Sequence, residues 1–366
     1  MRAAYAALRR DPIMSEARKR RNALGLALLG ADFAVYIGCV LIAISPLPLP
    51  LCLFASIWAG LFTGAIFVIG HDACHQSLTS SRILNRWIGR LAFLPSAHAM
   101  SLWVLGHNQI HHRFTNLKGR DYVWEPMSPD EYRRAPLLRR WVYRLYRGPL
   151  GAFPYYLVEM WWKKNFLPIA PEARRQWRRH VFDSAFILLA QAALIAAIAW
   201  GGSLLAPDRP LWATLGLGWL LPFLVWNGLM GLVIYAHHTH PEIAWFEDPS
   251  LWKRFNTSIA GTVHARLPQP LHALSNNIME HNAHHADPSI PLYSLRPLQA
   301  RMRSSFPGIP FLQLTPASYL RTLRCCKLFD FTQHRWVDFA GVATGPRLRA
   351  AQAAQEDTAA QHETGI

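Results

Sequence analysis

Four long apolar runs govern what this chain can fold into. They cover roughly residues 23–45, 51–70, 182–206 and 211–236. A helix needs about 20 mainly apolar residues to cross a hydrocarbon layer ~30 Å thick, and each run is long enough. The first two are parted only by "PLPLP" and the last two by "PDRP". Proline cannot continue a helix, so both connections read as tight turns and the runs as two helical hairpins. Lys and Arg set the direction of such helices. The first 22 residues carry seven of them, including "RKRR" at 18–21, and segment 71–180 carries many more. The two tight turns carry only Arg209. The positive-inside rule then puts the N-terminus, segment 71–180 and the C-terminal third in the cytoplasm. The expected fold is an all-α membrane protein: four transmembrane helices in two hairpins, interfacial helices, and a cytoplasmic, histidine-rich cap that binds metal.

The formal charge is +16 although 51% of the residues are hydrophobic. A nucleic-acid-binding protein can be as basic, but it would not carry long uncharged apolar runs, so nucleic acid is excluded as a partner. Five cysteines show no C-x-x-C spacing, which leaves no disulfide framework, zinc ribbon or iron–sulfur motif. The first run is too long for a cleaved leader. Shorter apolar patches at 87–94, 103–105 and 150–162 are rich in Trp, Tyr and Arg and read as interfacial helices, with a re-entrant helix at 91–105 as the alternative. The chain divides into a basic cytoplasmic N-terminus (1–22), a membrane domain (23–300), a cytoplasmic segment (301–343) and an Ala/Gln/Glu-rich tail (344–366) with no apolar face, read as disordered. Asp32 lies inside the first run, where a polar contact between helices is favoured over a functional role. Heavy use of Arg over Lys suits a GC-rich bacterium, hence a bacterial inner membrane.

Histidine is the anomaly. Seventeen are present, and most fall into four clusters: His71 and His75; His107, His111 and His112; His237, His238 and His240; His281, His284 and His285. All four lie on the expected cytoplasmic side, and two begin where an apolar run ends. Residues i and i+4 share one face of a helix. His71/His75, His107/His111 and His281/His285 obey that spacing, and His284 joins at i+3. Each helix is therefore expected to aim its imidazoles at one point. Neutral imidazole suits zinc, copper, iron and nickel. The eight histidines of the first, second and fourth clusters exceed one tetrahedral site and match two metal ions. A single such pair would mean little; four clusters on one side of a membrane point to metal. Neighbouring Asp72, Asn108, Asp121, Glu280, Asn282 and Asp287 are candidates to orient the rings. The isolated His98, His180, His264, His272, His334 and His362 receive no role and read as surface or interfacial.

These clusters, written H-x3-H at 71–75, H-x3-H-H at 107–112 and H-x2-H-H at 281–285, resemble the three histidine boxes of the membrane fatty-acid desaturase/hydroxylase family. "HDACHQSLTSSRILNRWIGRLAFLP", "HHRFTN", "HTHPEIAWFEDPSLW" and "GTVHARLPQPLHALSNNIMEHNAHHADPSIPLYSL" resemble its omega-6 (delta-12) acyl-lipid branch. The resemblance spans roughly residues 50–300. It implies two non-haem iron ions held by the eight box histidines, with O2 as co-substrate. It also implies a further ligand ahead of the third box, for which His238 is preferred over His240 and Asn276. The implied reaction removes two hydrogens from adjacent methylenes of a lipid acyl chain. The second box departs from many close relatives by having three residues, not two, before its histidine pair.

The chain has no G-x-G-x-x-G fingerprint, no C-x-x-C cluster and no H-P-G-G stretch. Electrons are therefore expected from an external donor of the ferredoxin or cytochrome b5 type, steered to a basic surface. Rival readings are a hydroxylase, carotenoid ketolase or alkane monooxygenase of the same superfamily. A metal transporter or haem protein is the rival of another class; it would place ligands near the bilayer midplane, where these runs hold no histidine.

Overall fold

The computed structural model describes residues 2–255, 257–269, 271–306 and 308–348. Its principal helices, in chain order, are α1 (Arg2–Arg10), α2 (Pro12–Ala17), α3 (Asn22–Ile44), α4 (Leu49–Cys74) and α5 (Arg82–Ala92). Next, α6 (Met100–Trp103) runs into a first π-helical segment, Val104–His111. After α7 (Leu137–Tyr146), α8 (Ala152–Tyr155) runs into a second π-helical segment, Tyr156–Phe166. Then come α9 (Trp177–Leu205), α10 (Leu211–Leu215), α11 (Leu221–His238), α12 (His281–Ala286) and α13 (Leu295–Ser305). Besides shorter helical segments, the described residues form two small sheets: β1 (His264–Arg266) pairs in parallel with β2 (Phe311–Gln313), and β3 (Leu328–Asp330) pairs antiparallel with β4 (Arg335–Val337).

Four helical stretches are long and apolar enough to cross a membrane: Asn22–Ile44, Leu49–Cys74, a run ending in α9, and Leu211–His238. They coincide with the four apolar runs of the sequence. Two of them continue past the apolar residues. α4 reaches Cys74 and α11 reaches His238, so His71, His237 and His238 belong to the last turns rather than following them. These turns are packed in protein, so the helix persists after the apolar pattern stops.

α4 is the central element: 67% of its apolar window is buried, against 22% for α3. Small residues let its neighbours approach. A Cβ on Gly60 would stand 2.6 Å from Val225 of α11, and one on Gly70 would stand 2.7 Å from Phe93. The outer faces of α3 and α9 carry exposed Ile37, Leu41, Leu189 and Trp200, as lipid-facing helices require. Arg209, the lone cation of the two tight turns, donates to the carbonyls of Ala43 and Ser45 at the end of α3. It satisfies carbonyls that a helix C-terminus leaves orphaned and ties the two turns together.

Two helices outside these stretches expose apolar faces among arginines. α5 presents Ile83, Trp87 and Leu91 beside Arg82, Arg86 and Arg90. α7 presents Leu137, Leu138, Trp141 and Leu145 beside Arg139, Arg140 and Arg144. The first overlaps the patch expected at 87–94; the second was not anticipated. The patch at 150–162 is largely the second π-helical segment, which buries Tyr156 and Met160 and exposes Trp162. Residues 93–103 are packed inside, where Phe93 stacks on Phe67 of α4 at 4.5 Å.

The basic N-terminus is folded onto the region of the third histidine box. Leu8, Met14 and Ala17 share a core with Ala283, Leu298 and Met302. Tyr5 donates to the Ala286 carbonyl at 2.9 Å, and the Arg18 guanidinium reaches Asp287 at 2.7 Å. Residues 349–366, most of the tail expected at 344–366, lie outside the described residues, as does His362.

Candidate metal centre

Nine imidazoles from four parts of the chain meet at the ends of α4 and α11. One nitrogen from each of His71, His75, His107 and His284 lies within 4.8 Å of the others, and the same holds for His111, His238, His281 and His285. His112 stands between the groups. Its Nε2 is 3.0 Å from His107 Nε2 and 2.9 Å from His284 Nε2, while its ring stacks on His285 at 4.3 Å.

The local folding that produces two groups differs from the expected pattern. Spacing alone placed His107 and His111 on one face, aimed at one point. In the first π-helical segment, however, the His112 amide donates to the His107 carbonyl, five residues back. This wider turn departs from the i,i+4 register: His107 is paired with His112, with ring centroids 4.6 Å apart, and His111 is turned toward the other group. The third box also divides. His281 and His285, at i and i+4 on α12, join one group, whereas His284 joins the other. The expectation that all three share one target is corrected: the second and third boxes each serve both groups.

Two carboxylates orient the rings. His71 Nδ1 is 3.0 Å from Asp72, which also accepts the Leu292 amide. His111 Nδ1 is 3.0 Å from Asp121, which is fully buried and held by the amides of Asn116 and Val123. A carboxylate on Nδ1–H fixes the tautomer and leaves the Nε2 lone pair for a metal. His111 Nε2 is buried and unpartnered.

The donor set fits a cation. A ring nitrogen offers one proton or one lone pair. His107 Nε2 nevertheless faces both His71 Nε2, at 3.1 Å, and His112 Nε2, at 3.0 Å. Protons alone do not satisfy this chain of contacts. Further along, His75 Nε2 and both nitrogens of His285 are buried without partners. Each such atom costs about 1–3 kcal/mol, a cost that a bound cation removes for the one nitrogen it takes from each ring. Burial first, and neighbouring imidazoles second, hold His75, His107, His112, His281, His284 and His285 well below the ordinary histidine range. They are neutral in the fold, the form that binds metal.

This sets a pH dependence for the metal-free chain. The unfolded state binds protons at these histidines below about pH 6.5 while the folded state resists them, so stability is present above that pH and lost below it. Chelator-treated protein is expected to melt at a lower temperature at about pH 5.5 than at about pH 7.5, as thermal unfolding in detergent would measure.

The remaining candidates separate cleanly. His240 lies outside both groups, its Nδ1 accepting the Glu242 amide. Asn276 is not at the rings; it donates to Asp32 at 2.9 Å and to the Ala65 carbonyl at 3.0 Å. Asp32 thus makes a polar contact, but to a turn residue that also bonds α4, where a contact between helices was expected. Glu280 precedes the third box but is turned toward His264, at 2.7 Å, and His272, at 3.5 Å. Those two, read as surface histidines, are buried. Asn108 bonds the Cys74 carbonyl, Asn282 bonds Thr262 and Asp287 bonds Arg18, so none of the three holds a box imidazole. His98 is fully buried between the Ser96 carbonyl and the Tyr156 hydroxyl, and burial lowers its pKa to about 3. Two neighbours escaped sequence reasoning. Trp103 stacks on His107 at 4.3 Å, and His237 stacks on His281 at 4.0 Å. Only the clustering of His237 gave a signal.

Comparison with known proteins agrees with this geometry. The profile of the family described as "Fatty acid desaturase" matches residues 44–314. An sn-1 oleoyl-lipid 12-desaturase of Picosynechococcus sp. is 30% identical over 84% of this chain and 84% of its own length. One from Synechocystis sp. is 30% identical over 78% of this chain and 76% of its own. The chloroplastic omega-6 fatty acid desaturase of Brassica napus is 30% identical over 65% of this chain and 51% of its own. With four helices apolar enough to span a bilayer and a family match over most of its length, the chain belongs to the fatty acid desaturase family of membrane oxidoreductases.

Proposed function

We propose that this protein introduces a double bond at position 12 of acyl chains carried by membrane lipids. The reading is carried by the two groups of buried, unpartnered imidazoles, together with relatives named as oleoyl-lipid 12-desaturases. His71, His75, His107 and His284 would hold one iron, and His111, His238, His281 and His285 the other, with His112 between them. Irons bound there would supply the O2 activation that breaking an unactivated C–H bond demands and side chains lack. The protein's own part is position. Asp72 and Asp121 fix two ring tautomers, the π-helical turn sets the spacing of the second box, and burial excludes water. In the balance, two hydrogens leave adjacent methylenes, an external donor provides two electrons, two protons enter, and O2 leaves as water.

The four apolar helices are read as two hairpins, with the histidines on the cytoplasmic side of a bacterial inner membrane; the distribution of Lys and Arg supports this. An acidic carrier of the ferredoxin or cytochrome b5 type would be steered toward a chain with net charge +16. Lipid analysis of a host expressing the gene, grown with and without O2, tests the reading. New 12-unsaturated chains that appear only with O2 support it. Hydroxylated chains or oxidised carotenoids as the sole products would refute it, and a Soret band in the purified protein would indicate haem instead of non-haem iron.

A further inference from the structure

We propose that the cleft between α7 and the second π-helical segment seats the head of an intact bilayer glycerolipid, and that Tyr122 and Met160 form the throat through which its acyl chain reaches the histidines. The proposal rests on the desaturase reading above. It assigns a route that the reading leaves open.

The cavity against the imidazoles is small. It measures about 60 Å³ and touches His107 from one group and His111, His238 and His281 from the other. It accommodates the reacting methylenes and not a whole acyl chain, so the rest of the substrate must lie elsewhere. A cleft of about 640 Å³ adjoins it, and Tyr122 and Met160 line both spaces. The Tyr122 hydroxyl occupies room left by Gly106, the residue before His107: a Cβ there would stand 2.2 Å from it. The ring is therefore lodged directly against the second box.

The far wall of the cleft is α7, whose Leu138, Arg139 and Val142 line it. The same helix exposes Leu137, Trp141 and Leu145 among arginines. An amphipathic helix of this kind lies in the membrane interface, so the cleft opens where lipid is drawn from the bilayer. Its charge argues against a water-soluble thioester carrier bearing several phosphates. Lys163 and Lys164 are engaged by Glu159 and Glu172, at 2.7 and 3.0 Å. Arg147 is buried and donates to the Trp124 carbonyl. Glu125 and Glu131 add negative charge to the lining. Apart from Arg139 on the rim, little cationic capacity is left for a polyphosphate, whereas an amphiphile with one head group meets a mixed polar and apolar wall.

The test uses the full-length, iron-loaded protein with a reducing donor, supplied either with dioleoyl-phosphatidylglycerol vesicles or with oleoyl-CoA. Wild type is expected to desaturate the vesicle lipid in preference to the thioester. Met160→Trp is expected to lower turnover on vesicles at least fivefold with iron content unchanged, and Met160→Leu to retain it. Leu138→Asp, on the exposed rim, is expected to raise KM for vesicle lipid at least threefold with kcat nearly unchanged. Preference for the thioester overturns the lipid carrier of the proposed function, and with it the seat for a glycerolipid head. Wild-type kinetics in both Met160→Trp and Leu138→Asp overturn the route while leaving the desaturase reading intact. A wild type that forms no double bond in either substrate overturns that reading, and this proposal with it.

Discussion

His284→Ala is expected to lower desaturase activity by more than about 100-fold, beyond the 10–100-fold typical of losing a partner that merely orients a ligand. His284 occupies one corner of the first imidazole group, and its Nε2 stands 2.9 Å from His112 Nε2. Alanine leaves three nitrogens where four converge and opens a gap beside His71, whose ring lies 4.3 Å away. Iron per chain should fall with the activity, measured by elemental analysis alongside product formation. His240→Ala provides the contrast. That ring contacts neither group and caps a turn at Glu242, so activity and iron are expected to stay within about twofold. An active, iron-replete His284→Ala protein would defeat the proposed ligand set.

Asp121→Asn is expected to cost about 10–100-fold in activity or iron affinity. The carboxylate is completely buried and takes its hydrogen bonds from His111 Nδ1 and two backbone amides. Asparagine fits the space. It offers a neutral oxygen to the imidazole and sets an NH2 group against one of the amides that the second oxygen accepted. The His111 tautomer is then no longer enforced, and its Nε2 loses basicity. Because the volume is conserved, thermal stability should move less than iron affinity. A variant that loses fold and metal together would instead mark Asp121 as structural. Titration of the metal-free protein with Fe(II), paired with a melting curve, separates the outcomes.

Much of this molecule was legible beforehand because hydrophobic runs and histidine spacing are strong signals. The four apolar runs became four long helices, and the eight histidines singled out by spacing are among the nine whose rings meet. His238 was one of three choices for a ninth; the fold gathers it in because α11 continues one turn beyond its apolar stretch. The split between the two groups was not legible. An i,i+4 rule presumes α-helix, and no residue type in "VLGHNQIH" distinguishes i+4 from i+5 hydrogen bonding. The only hint was the third residue before the histidine pair. α7 was missed because its arginines interrupt the apolar pattern, although a helix can expose both to an interface. The direction of Glu280 could not be read either. It depends on His264 and His272, brought close only by the folded chain.

The division of two boxes between two imidazole groups has a thermodynamic consequence. Neither proposed ion has a private set of helices: the π-helical turn supplies His107 to one and His111 to the other, and α12 supplies His284 to one and His281 and His285 to the other. Filling the first position orders the backbone on which the second depends, so part of the conformational cost is met once for both. The two sites are then linked by a coupling free energy, typically of about 1–3 kcal/mol in proteins. Iron loading of the empty protein should be cooperative, with the singly occupied species scarcely populated at half saturation.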